Sequence, residues 1–385
     1  MASSARWMVA AMIALMAMGV VMVAAASATP EALAGRPLGL LRNHTVRVGL
    51  ALVAFLLALR VRPRWLVAAA WPAWIVSIVL LVAVMFVGDS AKGSQRWLDL
   101  GIMSFQPSEL ARLSVILAIA AWAARNRDHM GRFSIGVAVP FALAGLPALL
   151  VFLEPDFGSS VYLLFVAVLV LWVGGARPTH LAGAFFAVMV SASIYGWNRF
   201  AHVAGRVEGF TDPAPGSQVW QGLTAMGSGH WTGVGIGRGL GGWGYVPEAE
   251  NDFILAVIGE ELGLLGTLGV LTLYGLFLWH GLKLLLGLRS RFALVVGMGL
   301  MFQIIVQALL NIAVVTAMAP PKGLPLPFVS AGGTSLLVLT ASTGLLLGLA
   351  RRPEEDPEVG TDWLSALMQR GRFRSRVSPQ LGKLP

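Results

Sequence analysis

The sequence contains no cysteine and little charge. Without cysteine there can be no disulfide, no thiolate metal ligand and no cysteine nucleophile. The six histidines are scattered and none stands four residues from another, so the helical two-histidine zinc pattern is missing. Asp, Glu, Lys and Arg together make up 12% of 385 residues, against about 25% in soluble domains. What the chain has instead is apolar sequence: 57% of residues are hydrophobic and mean hydropathy is +0.75. Runs of roughly 20 apolar residues, the length that crosses a bilayer, recur from one end to the other. The formal charge of +9 invites a nucleic-acid reading. In a chain of this composition it is better explained by basic loops on the cytoplasmic side of a membrane.

The runs predict an all-α integral membrane protein of about ten transmembrane helices, at 7–26, 45–61, 66–87, 108–124, 134–153, 158–174, 180–197, 253–286, 292–318 and 333–350. Residues 1–352 form one membrane domain, with its largest loop at 198–252. Residues 353–385 form a polar, basic tail expected to be disordered. The first run resembles a signal peptide, with Ala26-Ser27-Ala28 as a cleavage site, but it exceeds the 7–15-residue apolar core of one and reads as a retained helix. The eighth span is too long to cross a core about 30 Å thick without a bend, for which Gly263, Gly266 and Gly269 are candidates.

With ten spans both termini share a side. Placing them in the cytoplasm puts eighteen Lys and Arg inside and nine outside, Arg112 lying within a span. That excess predicts N-in, C-in. The segments rich in acids and glycines, 88–106, 154–157, 198–252 and 319–332, then all face outward. The chemistry is expected there.

Several of these segments admit two readings. The glycines of 227–242 either only make turns or expose amides for phosphate oxygens. Pro247-Glu-Ala-Glu-Asn-Asp252 precedes an apolar helix, where Asp252 is either an N-cap or a general base at the membrane surface. Glu260 and Glu261, two turns deeper, are paired structurally or functional. Glu109 and Arg112, at i and i+3, read as an ion pair inside the membrane. Asp156 caps a helix or lines an external cavity. Lys322, in the proline-rich stretch 320–335, either snorkels or grips a diphosphate.

Five blocks in order give a resemblance. They are Gln95-Arg96-Trp-Leu with Phe105-Gln-Pro-Ser-Glu109; Glu154-Pro-Asp156-Phe-Gly; Gly227-Ser-Gly with Gly233-Val-Gly-Ile-Gly; Pro247-Glu248-Ala-Glu-Asn-Asp252-Phe-Ile with Val257-Ile-Gly-Glu260-Glu261-Leu-Gly263; and Lys322-Gly-Leu-Pro-Leu-Pro-Phe with Ser330-Ala-Gly-Gly-Thr-Ser. Together they resemble the SEDS family, the FtsW/RodA/SpoVE type of peptidoglycan glycosyltransferases. The sequence departs from the family's usual pattern at Ala331, often Tyr, at Arg112, often Lys, and at Glu250-Asn251, often His-Thr.

The resemblance implies a ten-helix fold that polymerises lipid II into glycan, with undecaprenyl diphosphate as the leaving group. It implies Asp252 as the essential acid and a class B penicillin-binding protein as the transpeptidase partner, among other divisome proteins. The expected ligands are lipid II and the nascent glycan-lipid. Arg96, Gln221, Glu248, Lys322 and Ser330 are the candidate substrate contacts, with Glu109, Arg112, Asp156, Glu260 and Glu261 in support. The departing diphosphate could be stabilised by Lys322, Arg96, loop amides or a divalent cation, Mg or Mn, held jointly with the phosphates. Lys322-Gly-Leu-Pro-Leu-Pro leans towards the division-type members, acting at the septum, and Gln95-Arg-Trp-Leu-Asp-Leu-Gly towards the elongation type. A lipid II flippase and a non-catalytic scaffold are the alternatives.

Overall fold

The computed structural model describes residues 2–33, 39–91, 94–99, 104–199, 216–288, 290–320 and 322–351. Every predicted span is a helix. They are α1 (Ala2–Leu33), α2 (Gly39–Leu59), α3 (Pro63–Val87), α4 (Pro107–Arg125), α5 (Val139–Leu153, entered through a π turn at Ser134–Ala138), α6 (Phe157–Val173), α7 (Pro178–Arg199), α9 (Ile254–Leu285), α10 (Arg291–Val315) and α11 (Gly333–Arg351). A short helix unforeseen in the sequence, α8 (Gln218–Ser228), precedes α9. By length and composition, eight of these helices can cross a membrane; α6 and the stretch Pro178–Ser191 are shorter apolar helices. Residues 200–215 of the large loop and the tail 353–385 lie outside the described residues.

Local chemistry sets several boundaries. Pro63 and Pro107 stand in the first turns of α3 and α4, where no amide is needed. Ser217 and Ser290 cap α8 and α10 by accepting from Trp220 N and Ala293 N. The burial pattern then separates core from periphery. The spans of α4 and α11 are 78% and 83% buried, those of α2 and α3 only 17% and 22%. Leu56, Leu57, Ile75 and Val79 on α2 and α3 are exposed. In a helical bundle this poor in charge, such a face meets lipid. α11 packs along α2, α3 along α4, and α1 along α9.

Between α3 and α4 the chain forms a small antiparallel sheet, which hydropathy could not signal. β1 (Asp89–Ala91) pairs with β2 (Ser94–Asp99), and β2 with β3 (Ser104–Phe105), with Asp89 opposite Trp97 and Leu98 opposite Phe105. The sheet holds Arg96 over the end of the bundle that the charge bias assigns to the exterior.

The predicted bend falls at the first of its three candidates. Gly263 has φ 66° and ψ −163°, and α9 breaks there. The glycine-rich loop fills the break. Val234 N and Gly235 N donate to the carbonyls of Glu260 and Glu261, while Leu264 N and Leu265 N donate to those of His230 and Trp231. Hydrogen bonds lost by the helix are thus remade with the loop, as a span in lipid requires. A Cβ at Gly263 would lie 2.5 Å from Gly233 N and 2.6 Å from Thr232 N. Gly263→Ala is therefore expected to destabilise the protein by about 2–4 kcal/mol, read as a lowered unfolding temperature in detergent, whereas Gly269→Ala, with open space around it, leaves that temperature unchanged.

Candidate active site

At the outer end of the bundle the proline-rich segment after α10, the segment before α9, the start of α6 and the sheet enclose a cavity of about 450 Å³. Its wall brings together Arg96, Asp156, Glu248, Asp252 and Lys322, five residues separated by up to 226 positions in sequence.

Asp252 is half-buried on this wall. The cap position of α9 falls to Phe253, not to Asp252. The carboxylate faces the turn beside Lys322, since a Cβ on Gly323 would come within 3.2 Å of its Oδ2. The backbone around Asp252 is tightly held. Asn311 Nδ2 donates to the Asp252 carbonyl at 2.8 Å and to the Leu324 carbonyl at 2.9 Å. Ser330 Oγ donates to the Asn251 carbonyl at 2.6 Å and accepts from Leu326 N at 2.7 Å. Ala331 N donates to the Glu250 carbonyl, and Asn251 Nδ2 donates to Glu248 Oε2 at 3.0 Å. The segments carrying Asp252 and Lys322 are thereby one unit.

Asp156 does both things foreseen for it. Its Oδ1 accepts from Ser159 N at 3.0 Å and so caps α6, while Oδ2 accepts from Ser159 Oγ at 2.9 Å and from Arg96 Nη1 at 3.0 Å. Arg96 Nε is buried and has no hydrogen-bond partner among the described residues. Lys322 lays its stem across the start of α6, where a Cβ on Gly158 would touch it at 3.6 Å. Burial lowers the Lys322 pKa, and Asp156 opposes that fall.

Beneath the wall lies Glu154, buried, with Oε1 unpartnered. Burial first, then the Asp156 charge, push its pKa up to about 8, against the pull of Arg96. The sign follows. A carboxyl whose pKa is higher folded than unfolded stabilises the fold while protonated, and that contribution is lost as pH rises from about 4.5 through about 8. The unfolding free energy of the wild type is expected to fall across this window by up to about 1.4 kcal/mol per pH unit, read as a falling unfolding temperature, and that of Glu154→Gln to stay flatter.

The structure corrects other expectations. Glu260 accepts from Leu240 N at 2.7 Å and Gly241 N at 2.8 Å, and Glu261 from Gly237 N at 3.0 Å. The loop amides offered as a phosphate nest are thus occupied by the protein's own carboxylates, and both acids lie away from the cavity. Gln221 is also off the wall; Gln218, nearly a turn earlier on α8, is on it and donates to the Pro247 carbonyl at 3.0 Å. Ser330 does not face the cavity but braces Asn251.

Glu109 and Arg112 form the expected buried ion pair, and more. Arg112 also donates to Gln307 Oε1 at 3.0 Å and stacks 4.9 Å from the Tyr162 ring centre. Gln307 Nε2 reaches the Pro325 carbonyl at 2.8 Å and Ser335 Oγ at 3.1 Å. Gln307 and Asn311 were not foreseen as site residues. The signal was present: Gln303, Gln307 and Asn311 repeat every four residues through an apolar span, one stripe of amides where lipid-facing amides would be costly.

The chain is similar to known proteins over most of its length. A family model described as cell cycle protein, covering FtsW, RodA and SpoVE, matches residues 5–355. A probable peptidoglycan glycosyltransferase FtsW of Thioalkalivibrio sulfidiphilus is 36% identical over 353 residues, covering 89% of this chain and 88% of the relative. One of the same description from Alkalilimnicola ehrlichii is 35% identical over 387 residues, covering 95% and 92%. Among solved structures, a chain from a study of the structural coordination of polymerization and crosslinking by a peptidoglycan synthase complex superposes with a TM-score of 0.72 at 30% identity, covering 91% of this chain and 98% of that one. The rod shape determining protein RodA of Thermus thermophilus gives 0.68 at 28% identity, covering 90% and 96%.

Proposed function

The chain belongs to the FtsW/RodA/SpoVE family and is a peptidoglycan glycosyltransferase, and from that premise we propose that Asp252 is the general base of glycosyl transfer to lipid II. One observation carries the proposal: Asp252 stands on the wall of a polar cavity together with Arg96 and Lys322. A base and two cations are what the departure of a diphosphate from a sugar demands.

In this reading the donor is the growing glycan on its polyprenyl diphosphate, and the acceptor is a lipid II sugar hydroxyl. The acceptor oxygen bonds to the anomeric carbon as the bond from that carbon to the diphosphate oxygen breaks, the electron pair leaving with the diphosphate. The hydroxyl proton passes to the Asp252 carboxylate. Lys322 and the unpartnered Nε of Arg96 meet the negative charge that develops. Among the described residues no cluster of three His, Asp or Glu side chains could hold a metal alone. The wall nevertheless carries three carboxylates against two cations, so a diphosphate entering it adds charge to an acidic site. That donor set suits Mg or Mn shared between Asp252, Glu248 and the phosphates. When bound, the cation would supply further neutralisation of the leaving group.

The site lies at the outer end of a multi-pass membrane protein, which fits synthesis on the outer face of the cytoplasmic membrane. The division-type relatives support a septal role, and the synthase complex among the structural neighbours supports a class B penicillin-binding protein as partner. A flippase would need ionisable groups free along a path through the bilayer. Glu109 and Arg112 within α4 are instead locked to each other and to Gln307.

The test is to incubate the purified protein with its transpeptidase partner and labelled lipid II. Polymer resolved on a gel, increasing with Mg or Mn, is the expected result. Translocation without polymer would replace the enzyme with a flippase.

A further inference from the structure

Far from Asp252, at the end of the bundle that the charge bias assigns to the cytoplasm, α1, α9 and α11 enclose a second cavity of about 690 Å³. Arg6 of α1 and Arg351 of α11 both line it, and every other lining residue is alanine, valine, isoleucine or leucine. No salt bridge to either arginine forms among the described residues. The cavity therefore has polarity along its length. Arg6, Val9, Ala10 and Ile13 lie at i, i+3, i+4 and i+7, one face of α1. Ile13 is seven residues, about 10 Å, deeper than Arg6. Leu347 lies a turn deeper than Arg351 on the facing helix.

We propose that this cavity binds an anionic phospholipid of the inner leaflet, with its phosphate between Arg6 and Arg351 and an acyl chain along Val9, Ile13, Leu284 and Leu347. A guanidinium offers paired N–H donors to phosphate oxygens and keeps its charge at any physiological pH. The apolar reach of about 10 Å runs inward from the headgroup level, within the half-thickness of about 15 Å that one leaflet's chains occupy. A water-soluble anion would use the arginines but leave the groove empty. A neutral lipid would use the groove but leave two cations without a counter-charge. An anionic phospholipid satisfies both ends, as basic recesses between helices on the cytoplasmic side do. By joining α1 to α11 it would also tie the bundle's first helix to its last.

Native mass spectrometry of the delipidated full chain tests this, with phosphatidylglycerol, phosphatidylcholine and inorganic phosphate as probes. The wild type is expected to bind one phosphatidylglycerol, with affinity falling as ionic strength rises. Arg6→Gln with Arg351→Gln should weaken it at least tenfold. Ala10→Phe, which fills the groove and keeps both charges, should weaken it comparably. Both arginines are exposed at a helix end, so an unchanged unfolding temperature in neutral detergent serves as the folding control. Equal binding of phosphatidylcholine, or phosphatidylglycerol binding untouched by the double variant, overturns the proposal. So does displacement of the lipid by millimolar phosphate, which would mark a plain anion site. A variant with Glu354, Glu355, Asp356 and Glu358 changed to Gln that binds the lipid when the wild type does not would show the chain's own tail to be the occupant.

Discussion

Asp252→Asn is expected to lower lipid II polymerisation by about 10³-fold or more while the protein remains folded. The magnitude is near the upper part of the range for loss of a positioned general base. It is a clean substitution because of how residue 252 is held. The hydrogen bond from Asn311 goes to its carbonyl, not its carboxylate, and the cap position of α9 is held by Phe253. Asparagine keeps the shape and loses the proton acceptor. Lipid II binding should persist, since Lys322 and Arg96 are untouched, and the unfolding temperature should stay within a degree or two. Asp156→Asn makes an instructive contrast. It weakens the bond to Arg96 and the cap of α6, so it should disturb binding and stability together. Glycan polymer at the wild-type rate from a well-folded Asp252→Asn protein would remove Asp252 from the mechanism.

Much of this was readable in the sequence, for identifiable reasons. An apolar run of 20 residues has few alternatives to a helix, so a helix stands at each place where hydropathy put one, eight of them long and apolar enough to cross a membrane. The bend at Gly263 followed from a span too long for the bilayer and a residue able to adopt positive φ. The Glu109–Arg112 pair followed from two charges with nowhere else to go. What could not be read was three-dimensional proximity. Nothing in the order of residues says that Asn311 ties the carbonyl of Asp252 to that of Leu324. Nor does it say that Glu260 and Glu261 turn back to fill the glycine-rich loop. That loop is the sharper lesson. Exposed amides after glycine suggest an anion, and an anion is there, but it is the chain's own carboxylate two turns into the next helix. The sheet was invisible because its strands are two to six residues long, too short for periodicity to show.

The buried pair carries the second large effect. Arg112→Leu is expected to cost about 3–5 kcal/mol, the usual consequence of removing one member of a buried ion pair. The loss has two parts. Glu109 is left as an uncompensated carboxylate, 1% exposed within the bundle, and Gln307 loses the donor to its Oε1. Gln307 in turn holds Pro325 and Ser335, both on the cavity wall. Activity should therefore fall even at temperatures where the variant is folded, although Arg112 never meets substrate. Two further variants separate the parts. Glu109→Leu with Arg112→Leu removes the stranded charge and should recover most of the stability, because an apolar pair of similar volume is often no worse than a buried ion pair. It should not recover activity, since Gln307 remains unsupported. Arg112→Lys should do the same in part. A lysine can neutralise Glu109, but its single ammonium lacks the planar fork that reaches Glu109 and Gln307 together. Unfolding temperatures of the three variants in detergent, set beside their polymerisation rates, check the argument. If stability and activity rise and fall together across all three, Arg112 supports the bundle alone and the coupling through Gln307 to the cavity is wrong.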